Sequence, residues 1–436
     1  MQKKRLIYNT ALLTTSSLLM SCIGMAFQVW LVSCIGSTGI GLYQLVVSVT
    51  NLAATFAVSG IRFATTRLVS EELGFENNCS IGAAMKRCLI YGSFFGMAAL
   101  LIMYFLSEPL GFLWIGDART VLSLKISSIS MPCISLCAVL SGYFTACGRV
   151  WKPTLIHLIE QLTGIALVAF FLSLAPQGDI EKSCAAVTFG RLAADILSLV
   201  MMYLAYKADH QKHFCKSSTG DKLTRRMFTI AVPLAVSAYA RSALTTLQNL
   251  LVPRGLKSAG YSSDGALSGY GTIQGMVLPI ILFPSCIMSS LAELIVPELT
   301  ESQVQNDSVG IRKSVSALIR MSLSFSLAVG SFMFIFADML GLGIYKSSEA
   351  GHFIRLLAPL VPIMYTDMTI DGCLKGLGQQ VWSMGINILD SAVGLVLVWY
   401  LLPKYALAAY IAIIYFTEIL NFLLSILRLW KIYRQN

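Results

Sequence analysis

Residues 141–148 (SGYFTACG) and residues 371–378 (DGCLKGLG) are two copies of one stretch of sequence, 230 residues apart. The first and last glycines of the two copies align, and further along the acids Glu160 and Asp390 keep the same offset of 230. A fixed spacing over about thirty residues indicates an internal duplication. Because both copies lie within apolar sequence, the pattern predicts a membrane protein of two similar helical bundles, an arrangement typical of secondary transporters.

The composition indicates that most of the chain lies in a bilayer. Of its 436 residues, 56% are hydrophobic and 12% are charged, and the mean hydropathy is +0.72, outside the range of a soluble domain. The apolar stretches run for about 20 residues or more, which is enough to cross about 30 Å of hydrocarbon as a helix. The short alternating segments of an outer-membrane barrel are not seen. We therefore predict an all-α, polytopic membrane protein.

The apolar stretches predict about twelve transmembrane helices in two six-helix repeat bundles. Their predicted bounds are 8–33, 40–62, 86–106, 121–147, 153–174, 184–206, 227–250, 269–295, 314–337, 353–377, 381–402 and 406–430. The longest break in hydrophobicity is the polar segment 207–226, which we interpret as a cytoplasmic linker. It separates an N-terminal bundle over 1–206 from a C-terminal bundle over 227–436.

Positive charge is concentrated on one side of this predicted topology. An even number of spans places both termini on the same side, and most lysines and arginines, including those of 3–5, 149–152 and 207–226, fall there. Cytoplasmic loops carry such an excess of positive charge, so we predict that both termini are cytoplasmic. The net charge of +10 is explained by this topology and by anionic membrane lipids. We expect no nucleic-acid partner.

Neither the cysteines nor the glycines indicate a cofactor. The eleven cysteines lie mostly within predicted spans and form no CxxC pair, so we interpret them as small core residues and predict no metal site. The glycines of 372–378 lie inside a span and lack the strand-turn-helix context of a nucleotide-binding loop. We therefore predict a protein that is not an enzyme and that has no resident cofactor.

Arg241 is the main candidate for a substrate ligand. It lies fifteen residues after Arg226 in the seventh predicted span, roughly 22 Å along a helix, and an unpaired charge at that depth is costly. The planar guanidinium matches the geometry of phosphate oxygens. We predict that Arg241 binds an anionic head group. Arg62, at the mouth of the second span, and Arg191, in the sixth, are further candidates.

Three acids are candidates for coupling or gating. Arg191 and Asp195 are four residues apart and share a helix face, so a self-neutralising pair is the simpler interpretation. Alternatively, Asp195 forms a gate with Arg241. Glu160 and Asp390 are related by the repeat, so they either bind a coupling Na⁺ or H⁺ or have equivalent structural roles. The sequence leaves these alternatives open.

A series of short segments follows a characteristic order along the chain. They are 41–46 (GLYQLV), 57–61 (AVSGI), 68–72 (LVSEE), 142–144 (GYF), 152–154 (KPT), 159–161 (IEQ), 251–254 (LVPR), 259–261 (AGY) and 376–378 (GLG). In order and spacing they resemble the stage V sporulation protein B family of the multidrug/oligosaccharidyl-lipid/polysaccharide (MOP) exporter superfamily. The resemblance covers nearly the whole chain.

This resemblance implies two six-helix bundles around a central cavity, as in MATE transporters and lipid II flippases. It implies a flippase of the bacterial cytoplasmic membrane that moves a polyprenyl-pyrophosphate-linked oligosaccharide or peptidoglycan precursor by alternating access, with cell-wall synthesis enzymes as partners and a link to sporulation. Several members carry an extra helix pair, which in lipid II flippases forms a lipid-tail groove. This chain ends near twelve spans, so that part of the mechanism is not carried over.

Two alternative functions stay open on the sequence. A cation-coupled MATE-type multidrug antiporter shares the superfamily's fold, and in such a protein the acids Glu160, Asp195 and Asp390 would matter more than Arg241. A membrane scaffold that transports nothing is the second alternative. In a scaffold, charged residues of the cavity should be replaceable without loss of function.

Overall fold

The computed structural model describes residues 2–74, 78–176, 178–210, 221–292, 299 and 308–435. In these residues the regular structure is helical and no strand occurs, so the predicted all-α fold is confirmed. The helices are α1 (Gln2–Val58), α2 (Ile61–Gly74), α3 (Asn78–Pro109), α4 (Val121–Ala146), α5 (Trp151–Leu174), α6 (Ile180–His210), α7 (Asp221–Ser258), α8 (Ser263–Gly271), α9 (Leu278–Leu282), α10 (Ser308–Ile335), α11 (Ala337–Tyr345), α12 (Ser348–Leu357), α13 (Val361–Gly376) and α14 (Gln380–Gln435).

The described helices account for the predicted number of spans. Ten helical segments of the described chain are long and apolar enough to cross a membrane. Two of them, Thr15–Leu73 with 59 residues and Gln380–Ile432 with 53, contain a non-helical residue, Gly36 and Ala406 respectively. Because about 20 residues suffice for one crossing, each of these two segments supplies two spans. Eight single and two double segments give twelve spans, as predicted.

The 230-residue repeat appears in the ends of two helices. α4 ends at 146 and α13 at 376, and each is followed by a glycine with left-handed φ, 68° at Gly148 and 70° at Gly378. The amide after each glycine donates to the carbonyl five residues earlier, at 2.9 Å in the first copy and 2.8 Å in the second. Glycine closes a helix in this way without a Cβ clash, which explains why both copies end in glycine.

Helix contacts repeat with the same offset. An added Cβ at Gly142 would lie 2.6 Å from the carbonyl oxygen of Arg62 on α2, and one at Gly372 would lie 2.7 Å from Cβ of Ala292. Positions 62 and 292 are themselves 230 residues apart. Small residues of this kind allow membrane helices to approach closely. The duplication therefore includes the contacts between helices as well as the sequence motif.

Replacing Gly142 by alanine is expected to lower the thermal unfolding temperature, because the new methyl group meets a backbone oxygen that cannot rotate away. Overpacking of this kind costs about 1–3 kcal/mol. The matched control is Gly385→Ala, since this helical glycine has no neighbour within 4 Å of an added Cβ, and we expect it to be neutral or stabilising. Unfolding in detergent, followed by tryptophan fluorescence, is the measurement. Equal unfolding temperatures for the two variants would contradict the close contact.

The described chain forms two compact units. The first unit consists of residues 1–16 and 45–246, and the second unit consists of residues 17–44 and 247–436. Residues of α1 and of α7 therefore belong to both units. The predicted division into 1–206, 207–226 and 227–436 stays a prediction. Residues 211–220 of the predicted linker lie outside the described residues. Its first residues, 207–210, belong to the end of α6, and its last residues, 221–226, belong to the start of α7.

In the first unit, α7 is held against α1 and α2 by hydroxyl contacts. Thr246 Oγ1 donates to the carbonyl oxygen of Ser48 at 3.1 Å, and Tyr239 Oη donates to Ser59 Oγ at 2.5 Å. Gly60, with a φ of 69°, lets the α7 backbone come so close that an added Cβ would lie 2.6 Å from a carbonyl oxygen. These contacts fix the position of α7, and with it Arg241, relative to α1 and α2.

Candidate functional site

A polar cavity of about 250 Å³ lies inside the first unit, among the apolar helices α1, α2, α4, α5 and α6. Its charged and polar lining residues are Arg62, Ser141, His157, Glu160, Asp195 and Ser198. Ionisable groups within membrane helices are costly unless they pair or face a water-filled space. A cavity that gathers both signs of charge within one unit is therefore the candidate functional site.

Glu160 is the centre of a hydrogen-bonded group on α5 and α6. Ser198 Oγ donates to Glu160 Oε2 at 2.5 Å, and His157 Nδ1 lies 3.1 Å from the same oxygen. His157 is three residues before Glu160, so the two side chains share a face of α5. The carboxylate is thus fixed by two partners and remains partly accessible, with 26% of its side chain exposed.

Asp195 and Arg191 lie beside this group on α6. Asp195 is within hydrogen-bonding reach of Ser130 on α4. The guanidinium of Arg191 is within electrostatic reach of both Asp195 and Glu160. Arg191 therefore has two acids to balance, which makes it a less available ligand for an added anion than an arginine with no acid nearby.

Arg62 and Arg241, in contrast to Arg191, have no acid as a partner among the described residues. Among the described residues, neither guanidinium has a hydrogen-bond or ion-pair partner, and both residues are exposed on their helices. Four other arginines of the first unit do have carboxylate partners; they are Arg67, Arg119, Arg149 and Arg226. An unpaired guanidinium is available to an anionic ligand. Arg62 lines the cavity, whereas Arg241 does not.

The contacts of α7 determine how far apart these two arginines lie. Thr55 Oγ1 donates to the hydroxyl of Ser242, next to Arg241, at 3.3 Å, whereas Gly60, just before Arg62, lies against residues 231–235 of α7. The helices run antiparallel, and residues 231–235 precede Arg241 by six to ten residues, roughly 9–15 Å along α7, so Arg62 and Arg241 lie at different levels along that helix. The proposed gate between Arg241 and Asp195 is not among the ion pairs of the described residues.

The second unit has acids at the corresponding place. Asp390 is the repeat equivalent of Glu160. Both Asp390 and Asp367, which lies on α13, are close enough to Glu418 to interact with it electrostatically. Asp367 is 7% exposed and within hydrogen-bonding reach of Ser425. One oxygen of Asp367 and one of Asp390 are buried with no hydrogen-bond partner among the described residues.

Three basic residues of the first unit have neutral counterparts at the repeat-related positions of the second. The repeat equivalents of Arg62, His157 and Arg191 are Ala292, Asn387 and Asn421. Within the described chain, no group of three or more His, Cys, Asp or Glu residues is arranged to hold a metal ion. The duplicated positions have therefore diverged: the first unit combines acids with cationic residues, and the second has acids and neutral amides.

Sequence reasoning did not select Asp367 and Glu418, because single acids near the ends of predicted spans are usually explained by hydrogen bonds between helices. A comparison of the two repeats, once the cavity of the first unit is known, points to Asp367. Subtracting 230 from 367 gives Cys137, which lines the cavity of the first unit. Glu418 corresponds in the same way to Thr188, which does not line that cavity, so no comparable signal pointed to it.

Comparison with known proteins assigns the chain to a family. Its residues 6–303 match the family model described as polysaccharide biosynthesis protein, and residues 256–401 match the MatE model. Over 399 residues it is 23% identical to stage V sporulation protein B of Bacillus subtilis (strain 168), covering 90% of this chain and 76% of that protein.

Solved structures show the same fold. A multidrug resistance MATE family transporter of the MOP superfamily superposes with a TM-score of 0.74 at 13% identity, over 96% of each chain. The lipid II flippase MurJ superposes with a TM-score of 0.73 at 15% identity, over 95% of this chain and 86% of that one. At such low identity these similarities establish the fold alone.

These findings confirm the predicted resemblance and the predicted MOP-type fold. Together, the family and the fold also confirm the predicted class, a multi-pass membrane transporter or flippase. The substrate, the roles of the site residues and the orientation of the termini stay predictions. Because the first family model covers well over half of its length, this chain belongs to the polysaccharide biosynthesis protein family.

Proposed function

We propose that this protein is a flippase that moves a polyprenyl-pyrophosphate-linked oligosaccharide or peptidoglycan precursor across the bacterial cytoplasmic membrane by alternating access, with both termini in the cytoplasm. The observation that carries the proposal is the polar cavity of the first unit, in which Arg62 has no partner among the described residues. The family match and the similarity to stage V sporulation protein B support a saccharide substrate.

The cavity suits part of a lipid-linked head group. Its volume of about 250 Å³ is just below the ~300–1,000 Å³ of drug-sized ligand sites, so it would hold the pyrophosphate and leave the saccharide outside. Arg62 would bind phosphate oxygens directly, with Arg241 as a second ligand of the head group further along the neighbouring helix α7. Arg191 would hold the acids of the cavity in place.

Coupling to a cation gradient would involve the acids. Three carboxylates that lie close together in an apolar bundle repel one another. They are stable there only if some are protonated or a cation lies among them. Asp367, Asp390 and Glu418 of the second unit meet this description. We propose that they bind and release the coupling H⁺, because they are not arranged to hold a metal ion, and that Glu160 and Asp195 respond to the substrate in the first unit. Cell-wall synthesis enzymes would supply and consume the substrate.

A MATE-type multidrug antiporter is the second candidate function. The observation that favours it is the MatE match over residues 256–401, which includes Asp367 and Asp390. An antiporter would use these acids to exchange a cation for a drug. In that case Arg62 and Arg241 would have no anionic group to bind.

Proteoliposomes distinguish the two functions. The substrate is a fluorescent undecaprenyl-pyrophosphate saccharide, and a membrane-impermeant quencher detects the molecules that have reached the far side of the bilayer. We expect quenching to be faster in vesicles with the purified protein than in protein-free vesicles. We also expect no efflux of a cationic dye when a Na⁺ or H⁺ gradient is imposed. Dye efflux without movement of the lipid would contradict the flippase and support the antiporter. If the protein shows neither lipid movement nor dye efflux, the result would support a membrane scaffold.

A further inference from the structure

An apolar cavity of about 800 Å³ lies within the second unit. Residues of α1, α9, α10, α11 and the turn after α9 line it, and all thirteen of these residues are apolar. The volume is within the ~300–1,000 Å³ range of ligand sites. A space without polar partners does not hold ordered water and takes hydrocarbon instead.

A break in the eighth span creates one wall of this cavity. α9 ends at Leu282, Phe283 and Pro284 form a turn, and the helix resumes over 285–292. Proline has no N–H to continue the hydrogen-bond ladder, so it bends a helix where it occurs. Phe283 and Pro284 both line the cavity, facing Phe325 and Phe332 of α10.

The repeat offset also holds for α10, which forms the opposite wall, and for its neighbour α13. In the first unit, Ser135 Oγ donates to the carbonyl oxygen of Gly92 at 2.8 Å. In the second unit, Ser322 Oγ donates to the carbonyl oxygen of Tyr365 at 3.2 Å. Positions 92 and 322, and positions 135 and 365, are 230 residues apart. α10 and α13 therefore correspond to α3 and α4 in register.

Aromatic rings fill the corresponding place in the first unit. Phe325, which lines the cavity, corresponds to Phe95, whose ring lies 5.6 Å from that of Phe56 and 4.5 Å from that of Tyr91. The second unit has Cys286 and Met321 where the first has Phe56 and Tyr91. The two rings that pack against Phe95 in the first unit thus have non-aromatic counterparts in the second unit, where Phe325 lines the cavity.

The cavity is also accessible from the surface of the second unit. Phe332 is 53% exposed, and Ala328, one helical turn before it, is exposed as well. Several other exposed residues of α10 are large and apolar, including Leu323, Leu327 and Ile335. A surface of this kind on a membrane protein meets hydrocarbon. A lipid chain can therefore enter the cavity sideways from the bilayer.

We propose that this cavity binds the isoprenoid chain of the lipid-linked substrate. The inference rests on the proposed function, which supplies a substrate with such a chain. The cavity is roughly five times the ~150 Å³ that holds one benzene molecule, so it accommodates several five-carbon isoprene units while the rest of the chain stays in the bilayer. The branched methyl groups of the chain fit the aromatic and aliphatic wall, and the polar cavity of the first unit is left for the head group.

Photolabelling of the full-length protein in nanodiscs tests this site. The probe is a polyprenyl phosphate with a diazirine near the far end of its chain, and labelled peptides are identified by mass spectrometry. We expect labels on residues 325–333 of α10. Ala328→Phe and Val329→Phe each place a ring at a position that lines the cavity, so each should lose most of the labelling. Leu327→Phe is the matched control, because Leu327 is 50% exposed and lies outside the lining.

Unchanged labelling in both filled variants would overturn the proposal. So would displacement of the probe by phospholipid as effectively as by unlabelled polyprenyl phosphate, since the cavity would then be a general acyl-chain site. The probe carries no saccharide and labelling requires no transport. Labelling at α10 without saccharide flipping would therefore contradict the proposed function and support the isoprenoid site. Flipping without labelling at α10 would contradict the site alone.

Discussion

Arg62→Gln is expected to slow flipping of the fluorescent saccharide lipid by about tenfold or more. Arg62 lines the polar cavity and has no partner among the described residues, so its charge is available to the substrate. A hydrogen bond to a charged group contributes about 1.5–3 kcal/mol, and about 1.4 kcal/mol corresponds to a factor of ten. Glutamine keeps a polar side chain of similar reach, so the change removes the charge with little change in volume.

The matched control for this variant is Arg67→Gln on the same helix. Arg67 is paired with Glu71 at 3.1 Å, its side chain is 66% exposed, and it does not line the cavity. We expect this variant to flip lipid at close to the native rate. Both variants should elute from size exclusion as the native protein does. If Arg62→Gln and Arg67→Gln flip equally fast, the cavity is not the head-group site.

Asp367→Asn combined with Asp390→Asn is expected to abolish the effect of an imposed cation gradient on flipping. Both acids are within electrostatic reach of Glu418, and each has a buried oxygen with no hydrogen-bond partner among the described residues. Asparagine has nearly the same shape and cannot bind the exchangeable proton or neutralise a cation. Flipping down a substrate gradient should continue, because the head-group site lies in the other unit.

The control for the acidic group is Asp371→Asn, one helical turn from Asp367. Asp371 is already neutralised by Lys375 at 2.6 Å and accepts a hydrogen bond from Ser383, so we expect gradient dependence to remain. Rates are measured with a Na⁺ gradient, a pH gradient and neither, which also identifies the ion. A double variant that still responds like the native protein would show that coupling takes place elsewhere.

The sequence was sufficient for the fold because the features that define it are local. The length of an apolar stretch determines whether it crosses a bilayer, and a glycine after a helix determines where the helix ends. Twelve spans and the 230-residue repeat could thus be predicted, and the structure has both. The predicted breaks between spans 8–33 and 40–62 and between spans 381–402 and 406–430 agree with the non-helical backbone at Gly36 and Ala406.

The site was less predictable because it depends on which side chains meet. Depth in a span made Arg241 the main candidate, yet Arg62 is the arginine that lines the cavity. The simpler interpretation of the sequence is that Arg191 and Asp195 neutralise each other, yet Arg191 is also close enough to Glu160 to interact with it electrostatically. Such partners come from different helices, and the sequence contains no measure of their distance.

The sequence by itself determined that this is a duplicated helical membrane protein, because hydrophobic length and repeated motifs are properties of the linear chain. Only the tertiary structure decided which charges share a cavity, which acids lack partners, and where the two copies differ in packing. The apolar cavity of the second unit shows the reason. Phe95 and Phe325 are identical residues at equivalent positions of the repeat, and only the folded helices show that Phe95 packs against Phe56 and Tyr91 whereas Phe325 lines a cavity.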